Sequence, residues 1–341
     1  LPLLMRSALY PIFGERIWGW PGHIIDILAI FATLFGLATS LGYGAEQASG
    51  GLNYLFELPT GDYTNIVLVA IITGLALISV VRGLDGGIKR LSEINMVLAV
   101  ILGLFVLFMT PVMETLGYFF RYSLAYLEYL PVLSSWSGRE DYYFMHDWTT
   151  FYWSWWIAFS PFVGMFIARI STGRTVREFV LGALLAPSLI FMLWMTIFGH
   201  TAILQFFEED VTAVAESVRN FQPELTLFIF LEQFPGSLIT SILGLFLVII
   251  FFVTSMDSGS LVVDTMAAGG KIKTPLFQRI FWCISLGMIG IALLLGGGLS
   301  SVQALSLASA FPFTLIIILM TISLLLGLIR EHQLLRAEQS G

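Results

Sequence analysis

Eight long apolar runs divide this chain, near residues 22–43, 64–82, 92–112, 149–168, 178–203, 236–260, 276–297 and 302–329. An α-helix needs roughly 20 mostly apolar residues to cross a bilayer. The runs are continuous, whereas the strands of a membrane barrel alternate apolar and polar positions. The pattern therefore predicts an all-α integral membrane protein with eight transmembrane helices. Two other segments read differently. METLGYFFRYSLAYLEYLPVLSSW (113–136) mixes aromatics with Arg121 and Glu128, as in a helix lying in the outer membrane interface. ELTLFIFLEQF (224–234) is too short to span and is expected to lie flat. No segment is large enough for a separate soluble domain, so residues 1–341 read as one membrane domain.

Composition agrees with a lipid solvent. Hydrophobic residues make up 57% of the chain and charged residues 11%, against about 25% charged in an ordinary soluble domain. If the eight spans alternate, thirteen of the sixteen basic residues fall on one side, from Arg6 and Arg16 through Lys271, Lys273 and Arg279 to Arg336. Only Arg121, Arg139 and Arg219 fall on the other, with most of the acids, including the run at 208–210. The positive-inside rule then places both ends in the cytoplasm. The net charge of −7, without a sizeable basic patch, argues against a nucleic-acid partner. The lone Cys283 permits no intrachain disulfide. There is no signal peptide, and the first residue is Leu1.

The first and sixth spans echo one another. FGLATSLGYG (35–44) and FFVTSMDSGS (251–260) each hold a Thr-Ser pair followed four residues later by Gly, and the two spans run in opposite directions. Antiparallel repeats mark secondary transporters.

Candidate chemistry begins at WTTFYWSWWIAFSPFVGMFIAR (148–169), where four tryptophans fall within nine positions. At about 100° per residue, Tyr152, Trp155, Trp156, Phe159 and Phe162 share a helix face, with Trp153 a quarter-turn away. Such a stripe can bind a quaternary ammonium or sulfonium by cation–π attraction, about 0.5–2 kcal/mol per ring. It can equally be part of the aromatic belt at headgroup level. Trp148 suits the belt, whereas Trp156 and Phe159 lie deeper. Ser160, Pro161 and Gly164 predict a break in the helix, with unwound backbone facing a cavity.

In FFVTSMDSGS, Phe251, Thr254, Ser255 and Ser258 share a face. Two hydroxyls with freed backbone carbonyls suit a small hard cation such as Na⁺. The same hydroxyls serve equally to bond back to their own helix or to join neighbouring helices. Asp257 and Asp264 lie on another face, within reach of Lys271 or Arg279 as partners. The four histidines are scattered without metal-ligand spacing, and no phosphate-binding loop is present. Nothing suggests a catalytic residue or cofactor beyond a coupling Na⁺.

The stretches WTTFYWSWWIAFSPFVGMFIARISTGRTVREFVLG (148–182), LYPIFGERIWGWPGHIIDILAIFATLFGLATSLGYG (9–44) and FFVTSMDSGS resemble segments of the betaine/choline/carnitine transporters, and the likeness covers nearly the whole chain. The resemblance implies a LeuT-type fold of two five-helix inverted repeats, frequently assembled as a homotrimer in a bacterial inner membrane. It implies import of quaternary ammonium or related compatible solutes by alternating access, with Na⁺ or H⁺ coupling or exchange. By position, Trp153, Trp155, Trp156 and Phe159 would give this helix's share of a substrate box, with Phe159 standing where the family often has Trp or Tyr. Phe251, Thr254 and Ser255 would form half of a sodium site. Thr33 and Phe162 match a second one, but Leu37 replaces its other hydroxyl.

Family members carry two peripheral and two core helices before the point where this sequence starts. The resemblance therefore implies an N-terminally incomplete chain holding core helices three to ten, unable to transport by itself. The competing expectation is a non-transporting osmosensor, or an inactive truncated paralogue serving as an assembly partner.

Overall fold

The computed structural model describes residues 1–86, 88–208, 210–220 and 222–340, apart from the side chains at 84–86, 88 and 338–340. Glu209 of the acidic run lies outside the described residues. Those residues contain helices and no strand. After short turns over Met5–Leu9, Tyr10–Phe13 and Gly14–Trp18 come α1 (Trp20–Phe56), α2 (Asp62–Gly86), α3 (Ile88–Phe108) and α4 (Val112–Ser134). There follow α5 (Phe151–Ile170), α6 (Val176–Glu208), α7 (Ala213–Arg219), α8 (Pro223–Glu232), α9 (Ser237–Ala267) and α10 (Leu276–Ser340).

Seven of these segments are long and apolar enough to cross a membrane, against eight apolar runs in the sequence. The difference lies in α10, whose 65 residues would stretch about 100 Å as one rod, three times the hydrocarbon thickness. Its backbone leaves helical geometry at Gly297 and at Gly298, where φ is 63° and ψ −151°, a conformation open to glycine and strained for other residues. The break separates the runs 276–297 and 302–329 into two halves. Gly83 (φ 78°) similarly interrupts the end of α2.

The predicted break at Ser160-Pro161 is not observed. Pro161 lies inside a continuous α5. Proline removes the N–H that would have met the carbonyl four residues back, which is that of Ile157. The Ser160 hydroxyl donates to that same oxygen at 2.7 Å, so the helix continues without an orphaned carbonyl.

By their contacts the residues form two compact units, Leu1–Leu41 with His146–Ile170 and Ser255–Gly341, and Gly42–Met145 with Ser171–Thr254. In the first unit the segment before α1 is tied down at several points. The Arg6 guanidinium pairs with the buried Asp26 carboxylate, which also accepts the Arg6 backbone N–H at 3.0 Å. Arg330 of α10 donates to the Pro11 carbonyl at 2.8 Å. In the second unit Leu102, Val106 and Leu107 of α3 pack with Ile197, Phe230, Leu231 and Leu247. There α4 is pinned to α6, since the Tyr122 hydroxyl lies 2.8 Å from Nδ1 of buried His200 and the Tyr118 ring 4.0 Å from its ring. Burial pushes the Tyr122 phenol above its ordinary pKa, which keeps it a neutral partner. On α3, Ile94, Val97, Ile101, Leu104 and Phe108 form an exposed apolar stripe at helical spacing, a surface suited to lipid.

The two echoed stretches have matching roles. Gly44 lies against Phe252, so close that a Cβ would come within 2.2 Å of the ring, and Gly259 lies against Leu37, within 2.3 Å of Cδ1. Each glycine follows its Thr-Ser pair by the same four residues, and Leu37 and Phe252 each precede theirs by two. The small position of each stretch thus receives the large position of the other, as expected of an inverted repeat.

Candidate substrate and cation sites

Along α5 the rings stack into a ladder. Phe151 and Trp155 are 6.0 Å apart, Trp155 and Phe159 6.5 Å, and Phe159 and Phe162 5.0 Å in an edge-to-face arrangement. Tyr152 joins at 5.7 Å from both Trp148 and Trp155. The ladder rests on α1 because Gly36 has no side chain: a Cβ there would lie 3.1 Å from backbone atoms of Ala158 and Phe159. That approach lets the Trp155 ring N–H donate to the Gly36 carbonyl at 3.1 Å. The polar atom that makes tryptophan an expensive core residue is thereby satisfied, and the indole is held in one orientation.

The structure divides the predicted box residues. Trp155 and Phe159 are half-buried members of the ladder, whereas Trp153 and Trp156 are 61% and 56% exposed. Trp156, which helical phase places with Trp155 and Phe159, stands outside the ladder's packed edge and offers an open ring face.

The cation candidates also divide. Thr33 is fully buried on α1, with no hydrogen-bond partner for its hydroxyl, and Phe162 is buried on α5, both in the first unit. Leu37, where a second hydroxyl was expected, fills the hollow at Gly259 instead. On α9, Phe251 is half exposed, and Thr254 donates its hydroxyl proton to the carbonyls of Ile250 and Phe251, both at 3.0 Å. Back-bonding of this kind consumes the proton and leaves oxygen lone pairs to accept. Ser255 is partly buried and begins the other unit, the division falling between it and Thr254.

The acid Asp264 is fully buried, and Thr274, not Lys271, donates a short hydrogen bond to it. Arg169 and Arg279 add positive charge beside it, and Arg169 also donates to the Thr265 hydroxyl at 3.2 Å. Asp257 is buried too, and its backbone carbonyl accepts from Ser260 at 2.8 Å. Among the described residues no group of three or more His, Cys, Asp or Glu is arranged to hold a metal ion. The Arg6–Asp26 pair and the Tyr122–His200 contact have no signature in the sequence, because their members are 20 and 78 positions apart and belong to no shared pattern.

Comparison with known proteins adds a further line. The model of the BCCT family, betaine/carnitine/choline transporters, matches residues 1–333. A glycine betaine/proline/choline transporter of Vibrio parahaemolyticus is 54% identical over 98% of this chain and 60% of its own length. A glycine betaine/proline/choline/ectoine transporter of the same bacterium is 48% identical over 97% of this chain and 59% of its own. The glycine betaine transporter OpuD of Bacillus subtilis is 39% identical over 97% of this chain and 64% of its own. The chain thus spans about three fifths of the length of these relatives. With a family match over nearly every residue, on a multi-pass helical membrane chain of LeuT-like fold, the protein belongs to the BCCT family.

Proposed function

We propose that the chain is part of a secondary transporter importing quaternary ammonium compatible solutes, such as betaine or choline, by alternating access. The observation that carries this reading is the aromatic ladder of α5, with Trp155 fixed by its bond to Gly36 beside the open rings of Trp153 and Trp156. A trimethylammonium group offers no hydrogen bonds, so ring faces are the recognition chemistry available to it. In this reading Trp153, Trp155, Trp156 and Phe159 supply one wall of the substrate site. Phe251, Thr254 and Ser255 supply oxygens and an apolar lid for a coupling Na⁺. Thr33, buried with an unpartnered hydroxyl, and Phe162 line a second cation position that Leu37 leaves one hydroxyl short. The names of the relatives support the substrate class. We further place the protein in a bacterial inner membrane as a homotrimer, with both ends of this chain on the cytoplasmic side.

The test is uptake of labelled betaine into proteoliposomes holding the complete transporter of which this chain is a part, under an imposed Na⁺ gradient, an H⁺ gradient or neither. Accumulation driven by Na⁺ is expected, with Thr254→Ala/Ser255→Ala raising the Na⁺ concentration needed. Uptake driven by H⁺ alone would reject the sodium assignment. Absence of both binding and uptake would favour a non-transporting assembly partner.

A further inference from the structure

A separate cavity of about 250 Å³ lies within the second unit. Two helices end at it: Thr110 and Pro111 follow the last turn of α3, Gln233 and Pro235 follow that of α8, and all four line the space. A helix C-terminus carries roughly half a negative charge in its last carbonyls. From α6 come Thr201 and Gln205. Gln205 is 4% exposed, and its side-chain oxygen has no hydrogen-bond partner.

Three of the donors around the cavity are used on their own helices. Thr201 gives its proton to the Ile197 carbonyl at 2.5 Å, Thr110 to that of Leu107 at 2.9 Å, and the Gln233 amide to that of Ile229 at 3.3 Å. What remains is the Gln205 amide group and a set of neutral oxygen acceptors beside two negative helix ends, with no Asp, Glu, Lys or Arg in the lining. Such a site repels anions. It also lacks the carboxylates that divalent ions usually require.

We propose that this cavity binds an alkali-metal cation, with the Gln205 side-chain oxygen as a direct ligand. It shares no residue with the α1, α5 and α9 positions above, so the inference does not depend on the transport reading.

The test uses the purified protein carrying Thr254→Ala/Ser255→Ala, so that those hydroxyls do not contribute. NaCl and KCl are titrated against N-methylglucamine chloride at constant ionic strength while the melting temperature is followed. A saturable rise with at least one of the two ions is expected. Gln205→Leu should raise the half-saturating concentration at least tenfold. It should melt no lower than its parent in cation-free medium, because it removes a buried acceptor that lacks a partner. Gln205→Glu should lower the half-saturating concentration at least threefold. No saturable rise would mean that the cavity holds water only and would overturn the proposal. So would a midpoint that neither Gln205 variant moves.

Discussion

Trp155 and Trp156 are adjacent in sequence, yet one indole is anchored and the other is open. Trp155 spends its N–H on the Gly36 carbonyl, so replacing it would disturb helix packing as well as any ligand. Trp156 is 56% exposed, which makes it the cleaner probe of the substrate site. Trp156→Ala is expected to weaken betaine binding by about 1–2 kcal/mol, the scale of one cation–π contact, without lowering the melting temperature. Trp156→Phe should keep part of the affinity, because a ring face survives. A tryptophan-fluorescence titration with betaine and choline measures both. Unchanged affinity in the alanine variant would return this ring to the interfacial belt.

At the scale of the element, two glycines meet two large side chains across the echoed stretches, but the neighbours differ in how easily they yield. A Cβ on Gly259 meets the end of the flexible Leu37 chain, which can rotate away, whereas one on Gly44 meets the Phe252 ring at three atoms within 2.4 Å. Overpacking typically costs about 1–3 kcal/mol. Gly44→Ala should fall at the upper end of that range and Gly259→Ala at the lower, as read by unfolding in mixed micelles. The reverse order would show that the Phe252 ring is the one free to move. Gly298 carries a different constraint, its positive φ. Gly298→Ala should cost about 1–3 kcal/mol through backbone strain in a positive-φ region that is essentially glycine-only, while Gly296→Ala, which meets open space, should cost little. Thermal melts of the two variants separate strain from crowding.

For the molecule as a whole, we expect the charge distribution to set the orientation, with both ends of this chain on the cytoplasmic side. Cysteines placed at Ser137 or Asn220 in a Cys283→Ser background should react with an impermeant reagent from outside intact cells. Cysteines at Thr172 or Lys273 should react only after the membrane is opened. The sole native cysteine is fully buried, so background labelling should be low. The break in α10 makes a linked prediction: a cysteine at Ser300 should label from outside, and failure to do so would remove the eighth crossing.

Much of this was legible in the residues. Lipid cannot hydrogen-bond to a backbone, so a membrane chain must write its spans as long apolar runs, and each of the first seven runs falls within or close to an observed helix, although α1 continues to Phe56, well past the end of its run at 43. The seventh and eighth are separate runs in the sequence, and the structure breaks α10 between them at Gly297 and Gly298. The aromatic stripe and the Thr-Ser echo were also visible, since both are patterns local to one helix. Tertiary contact decided the rest. Helical phase put Trp156 with Trp155, and only the close approach of α1 at Gly36 separates a fixed ring from an open one. Pro161 signalled a break, but the neighbouring Ser160 hydroxyl reached the orphaned carbonyl. Gln205 has no signature in the sequence, and its oxygen, buried without a partner, is visible only in the fold. A sequence determines which groups must avoid water or lipid; which partner satisfies each of them depends on residues that meet only in the folded chain.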